Sequence, residues 1–146
     1  MNKVLVSKLN VYLANLGVLY IKLHNLHWNV TGINFKAIHE YLEVLYDGVS
    51  ASLDEVAEIL KMNDEVPAAS LKEYLEITSI CELESKELMG KEALKIVLDD
   101  FSKIKDLAVE IRTLADENDE YKIINMIEDD LNNFSKSIWF IKAMLK

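Results

Sequence analysis

Residues 35–60 read FKAIHEYLEVLYDGVSASLDEVAEIL, and their spacing decides the fold. Phe35, Ile38, Leu42, Leu45, Val49, Leu53, Val56 and Leu60 recur in steps of three and four, which draws one apolar stripe along a helix. At about 100° per residue, His39, Glu43, Asp54 and Glu58 fall near 0°, 40°, 60° and 100°, while the stripe centres near −75°. Ser50, Ala51 and Ala57 share this polar face. Small residues let a second helix approach closely, so the face is predicted to be an interface with acids and a histidine set into it.

Three further segments carry the same periodicity. Leu5, Leu9, Tyr12, Leu16, Leu19, Leu23, Leu26 and Val30 mark a helix before it. Leu94, Val97, Phe101, Ile104, Ala108, Ile111 and Ala115 mark a third, and Ile124, Ile127, Leu131, Phe134, Ile138, Ile141 and Leu145 a fourth. Gly32 ends the first helix and Asn34 is the expected N-cap of the second. Pro67 stands beyond the second, and Ser70-Leu71-Lys72-Glu73 reads as a capping box opening a short helix over residues 70–77. Thr78 to Gly90 reads as an irregular connection, and Asp116 to Asp119 as a polar turn. Two long helices, a long connection holding a short one, then two long helices predict an all-α chain. The arrangement is a ferritin-like four-helix bundle in one domain over residues 1–146.

Composition agrees. Half of the chain is apolar (51%), with only four Gly and one Pro, too little punctuation for many strands. The single cysteine, Cys81, excludes an intrachain disulfide and fits a reducing compartment. Lys8 and Asn10 interrupt the apolar start and no small-residue cleavage site follows, so a secretory leader is not expected. No stretch was expected to supply the roughly 20 apolar residues of a membrane span. The expected location is the cytoplasm.

The charge is −9, from 25 acidic and 16 basic residues, of which only Arg112 is arginine. Duplex DNA binders carry a basic stripe or tail, and none is visible. An acidic surface serves solubility or draws cations.

His24, His27 and His39 are the only histidines, and a lone helical histidine is more often structural than a ligand. His39 and Asp54 lie fifteen residues apart on one helix, roughly 22 Å along its axis, too far for one metal. If the helix meets its own copy antiparallel about a two-fold near residues 46–49, His39 of one chain lies beside Asp54 and Glu58 of the other, with Glu43 near. An isologous interface makes two such sites. His27 joins them because Gly32 turns the chain back. Imidazole and carboxylate together suit iron, manganese or zinc rather than calcium or magnesium. The Glu-x-x-His pattern of a di-iron centre inside one bundle is absent.

His27-Trp28-Asn29-Val30-Thr31-Gly32, five residues, then Ile38-His39 and Glu43 resemble the first signature of the Dps mini-ferritins, DNA-binding proteins from starved cells. Leu53-Asp54-Glu55-Val56-Ala57-Glu58 resembles the second, with Pro67 at the expected distance. Residues 70–76 and the closing Ile138-Trp139-Phe140-Ile141-Lys142-Ala143 are also similar, so the resemblance spans nearly the whole chain. It implies a hollow dodecamer that oxidises Fe(II), commonly with hydrogen peroxide, at two-iron sites between subunits and stores ferric mineral, suppressing hydroxyl radical. Carried over by position, His27 and His39 come from one subunit and Asp54 and Glu58 from its mate, with Glu43 a nearby ligand or supporting acid. Trp28 becomes a candidate electron donor, or simply an aromatic wall.

Ile59 departs from the arginine usual in the family after the second signature, so an ion pair beside the site is missing. Asp116, Glu117, Asp119 and Glu120 are candidates for an acidic pore that admits Fe(II), against a plain solvated turn. Two other readings stand beside the ferroxidase: a metal-sequestering shell, with zinc bound in the isolated protein, and a DNA-binding stress protein. Some family members bind DNA through Lys-rich tails. Here only Lys3 and Lys8 precede the core of the first helix, which argues against DNA.

Overall fold

In the computed structural model, which describes residues 1–146, the order is α1 (Lys3–Asn29), β1 (Val30–Thr31), α2 (Phe35–Met62), α3 (Leu71–Ile77), β2 (Leu88–Met89), α4 (Gly90–Glu117) and α5 (Tyr121–Leu145). α1 starts where Asn2 Oδ1 accepts from the amides of Val4 (2.9 Å) and Leu5 (3.1 Å), two of the donors a helix leaves unpaired. Gly32, at φ +111°, turns the chain from β1 into α2. Asn34 precedes α2 but makes no side-chain cap bond, unlike the expectation; its backbone carbonyl takes the Ile38 amide instead. The capping box is present: Ser70 Oγ accepts from the Glu73 amide, and Glu73 Oε2 takes the Ala69 amide and the Ser70 hydroxyl. Those bonds hold the Glu73 carboxyl below its ordinary pKa.

Two elements were not foreseen. Val30–Thr31 and Leu88–Met89 pair in parallel, Val30 with Leu88 and Thr31 with Met89; the first two were read as the end of the first helix, the second two as part of the irregular span. This pairing puts the start of α4 beside the end of α1, so the long connection returns the chain from the far end of α2. Second, α4 continues through Asp116 and Glu117, so the turn expected over residues 116–119 shrinks to Asn118 and Asp119. The Glu120 amide reaches back to Ala115 O at 2.9 Å with Asp119 at φ 55°; Glu65 reaches Leu60 O at 3.0 Å with Asp64 at φ 60°. Both ends are Schellman turns with aspartate where glycine is usual.

The core is one cluster of 32 buried residues. Every stripe residue named for α1 and α4 is in it. On α2, Phe35 is exposed and Leu53 only half-buried. On α5 the buried line is Ile123, Met126, Ile127, Phe134 and Ile141, leaving Ile124, Leu131 and Ile138 at its flank. Contrary to expectation, α1 is by length and composition apolar enough to cross a membrane; 56% of its most apolar stretch is buried inside the bundle.

Polar side chains on α1 staple the long connection along it. Asn10 Oδ1 takes the Ala68 amide (2.8 Å), Asn15 bonds Thr78 and Ser79, and Asn25 donates to Leu83 O (3.0 Å). Lys22 donates to Cys81 O at 2.7 Å and reaches Asp100 on α4, Nζ to Oδ2 2.7 Å, with both side chains buried. The Asp100 contact falls outside hydrogen-bond geometry, so charge attraction holds it. A second buried polar centre ties three helices: Asp130 on α5 accepts from Tyr12 OH (2.6 Å) and Ser52 Oγ (2.8 Å).

Candidate metal centre

α1 and α2 run back to back from the Gly32 turn, which sets the last turn of α1 against the first of α2. His27 and His39 stack there, ring centroids 3.7 Å apart at 12°. Each ring holds the other's backbone: His27 Nδ1 donates to His39 O at 2.6 Å, and His39 Nδ1 to His27 O at 2.7 Å. A carbonyl oxygen only accepts, so Nδ1 carries the hydrogen on both rings and a neutral ring keeps its Nε2 lone pair free. Ring orientation fixed through the second nitrogen is the usual support of a metal-binding histidine.

Glu43 lies one turn further on, its Oε1 accepting from Tyr46 OH at 3.1 Å. Local desolvation first, and then that carboxylate, push the Tyr46 phenol above its ordinary pKa. Tyr46 also stacks on His24 (3.8 Å, 21°) and meets His27 edge-on at 5.3 Å. His24 Nδ1 donates to Tyr20 O at 2.7 Å, and its ring lies 5.3 Å from Trp28, which is exposed. Phe35 covers the outer face of His39 (5.0 Å).

Asp54 and Glu58 are exposed on the same face of α2 and are not brought to the histidines within the chain. No group of three or more His, Cys, Asp or Glu side chains in a single chain is close enough to hold a metal ion. Near Glu58, burial first and then Asp130, Asp129 and Glu58 itself raise the Glu55 pKa, a patch of crowded negative charge. Ile59 is buried in the core. Asp116, Glu117, Asp119 and Glu120 gather at the α4–α5 corner, the first three exposed and Glu120 preceding α5.

Sequence reading left His24 and Tyr46 without roles. Tyr46 is seven residues from His39, about −20° from it around the helix, so it belonged to the same face. That signal was legible; the stack on His24 was not, because it joins two helices.

Long helices paired in two hairpins, one crossover and a histidine pair between α1 and α2 define a ferritin-like fold. The ferritin-like domain family matches residues 6–146. Antigen TpF1 of Treponema pallidum (strain Nichols) is 39% identical over 96% of this chain and 79% of that protein. The TpF1 crystal structure superposes with a TM-score of 0.96 at 38% identity, covering 98% of this chain and 92% of that one. The DNA protection during starvation protein of Brevibacillus brevis is 36% identical over 94% of this chain and 92% of that protein. The Vibrio cholerae O1 Dps structure, described as one of a broad superfamily of ferritin-like diiron-carboxylate proteins, superposes at 0.93. It is 28% identical, over 97% of this chain and 89% of that one. The chain belongs to the Dps family of ferritin-like proteins, whose general business is iron storage and protection.

Proposed function

We propose that this protein oxidises Fe(II) with hydrogen peroxide at two-iron sites shared between two-fold-related subunits, and keeps the ferric product as mineral inside a dodecameric shell. The observation that carries this reading is the reciprocal hydrogen bonding of His27 and His39. It prepares two Nε2 donors on a face whose remaining acids, Asp54 and Glu58, stand roughly 22 and 28 Å from His39 along α2 and join them only from a second copy. An apolar patch of Ile21, Leu71, Leu75 and Ile77, exposed on α1 and α3, supports a covering partner. In the shared site, His27 and His39 bind Fe(II) through Nε2, the mate's Asp54 and Glu58 supply negative charge, and Glu43 assists. Carboxylates favour Fe(III) over Fe(II), so the same ligands that bind the substrate also promote its oxidation. Peroxide takes one electron from each iron, its O–O bond breaks, and no hydroxyl radical is released. The acids at the α4–α5 corner, Asp116, Glu117, Asp119 and Glu120, form an acidic pore drawing in Fe(II).

The test is anaerobic Fe(II) loading followed by peroxide, with ferric absorbance and peroxide consumption recorded together. Rapid oxidation at about two Fe(II) per peroxide is expected, because each iron gives one electron and the O–O bond takes two. His27→Gly with His39→Gly should abolish the fast phase while circular dichroism and shell size stay unchanged; equal rates would overturn the reading. The imidazole and carboxylate set also suits zinc, and the buried Ile59 removes an ion pair the family resemblance led us to expect. Slow oxidation equal to that of the double variant would favour a zinc-holding shell. Tight duplex binding in a low-salt gel shift would favour the DNA-binding reading, which the charge of −9 opposes.

A further inference from the structure

α2 and α5 leave a cavity of about 350 Å³ between them, the size at which small-molecule pockets begin. Its α2 side holds Val44, Gly48 and Ser52, at about 140°, 180° and 220° from His39, turned away from the metal-site face at roughly 0–100°. Four rings wall it. Phe101 and Phe134 meet edge-on at 5.1 Å, and Tyr41 and Phe140 lie 6.1 Å apart at 25°. Gly48 interrupts a 28-residue helix, where glycine lowers stability, yet a Cβ there would meet nothing within 4 Å. Packing within the chain therefore does not demand a glycine; what the missing side chain leaves is room in the cavity.

Asp130 stands in the cavity wall, only 4% exposed. Its two oxygens accept from Tyr12 OH and Ser52 Oγ, both neutral donors, and none of the chain's four ion pairs includes it. The charged groups that act on it, Asp129 and Glu55, are acids as well. Lys136, the one basic residue of the lining, holds its Nζ 5.6 Å from the centre of the Phe140 ring instead. The cavity thus combines a buried carboxyl that lacks a cation with ring faces that attract one. An anion would be repelled by three carboxyls, and a neutral molecule would leave the Asp130 charge unpaired. We propose that this cavity binds an arylalkyl ammonium ion, a primary amine on a small aromatic body, with its head at Asp130 and its ring between the aromatic walls. An ammonium brings three donors, which Asp130 and the side-chain oxygens of Asn133 and Ser137 in the same lining can share. The site is independent of iron oxidation and stands whether or not the ferroxidase reading holds.

The experiment is titration of the assembled, iron-free protein with 2-phenylethylamine at physiological salt, read by calorimetry and by saturation-transfer nuclear magnetic resonance. The amine should bind at one site per subunit. Phenylacetate, a similar body with the opposite charge, should bind more weakly by roughly tenfold or more. Gly48→Leu fills the cavity and favours the helix, so it should remove binding while circular dichroism and shell size stay as in wild type. Asp130→Asn removes the charge and keeps the shape, and should weaken binding by roughly tenfold or more. The net charge of −9 is unchanged by Gly48→Leu, so loss of binding there separates the cavity from a general attraction of cations to the acidic surface. No binding to wild type at millimolar amine, equal binding of phenylacetate, or unchanged binding in either variant would overturn the proposal.

Discussion

Co-refolding a chain carrying His27→Gly and His39→Gly with one carrying Asp54→Ala and Glu58→Ala tests whether the site is built from two copies. The histidines of one chain lock each other within that chain, while its own Asp54 and Glu58 lie roughly 22 and 28 Å from His39 along α2. Each variant alone has every site damaged. In a mixed two-fold pair, one site receives both sets of substitutions and the other receives neither. Random pairing of equal amounts makes half of the pairs mixed, and half of the sites in those pairs are intact. Mixed shells should therefore recover about a quarter of the wild-type fast oxidation per subunit. Distinct affinity tags on the two chains isolate shells that contain both, and the initial ferric absorbance after peroxide reads the recovery. Activity near zero in such verified mixed shells would refute the shared site, because a site made within one chain cannot be restored by mixing.

Lys22→Met leaves Asp100 buried and charged and removes the donor to Cys81 O. It should cost about 3–5 kcal/mol, with most of it regained in Lys22→Met/Asp100→Leu; urea midpoints at fixed protein concentration decide. Burial is the main cause of the raised Asp130 pKa, with Asp129 adding to it against the Tyr12 and Ser52 hydrogen bonds. A raised folded value means that Asp130's contribution is complete below the ordinary aspartate pKa of about 3.9 and is lost as pH rises through the folded value. Asp130→Asn should therefore gain stability relative to wild type as pH rises across that window, and a pH-independent difference in urea midpoint would contradict it. At Asp119 (φ 55°) glycine avoids the left-handed cost, so Asp119→Gly should stabilise by about 0.5–1 kcal/mol in thermal melts. A loss of stability there would mean that the aspartate side chain holds the corner.

What the sequence alone determined was whatever depends on short-range periodicity. Hydrophobic steps of three and four on α1 and α4, and on α2 apart from Phe35 and Leu53, named core residues correctly, because a helix face repeats every turn and the apolar effect has no direction. The Ser70–Glu73 capping box was legible for the same reason, its bonds lying within three residues. The α5 stripe was right at Ile127, Phe134 and Ile141 and off at Ile124, Leu131, Ile138 and Leu145, because that helix carries apolar residues on two adjacent faces. Ile123 and Met126 compete with Ile124 and Leu131, and only the packing of α4 and α2 against it chooses between them. Tertiary structure alone decided the parallel pairing of Val30–Thr31 with Leu88–Met89, the Asn10, Asn15, Lys22 and Asn25 staples, and the Tyr46–His24 stack. Each joins residues distant in the chain. Their alignment follows from where whole helices come to rest, a quantity that no local spacing carries. The sequence placed His27 and His39 near one another. The fold turned that proximity into chemistry, since each ring is aimed by a carbonyl belonging to the other.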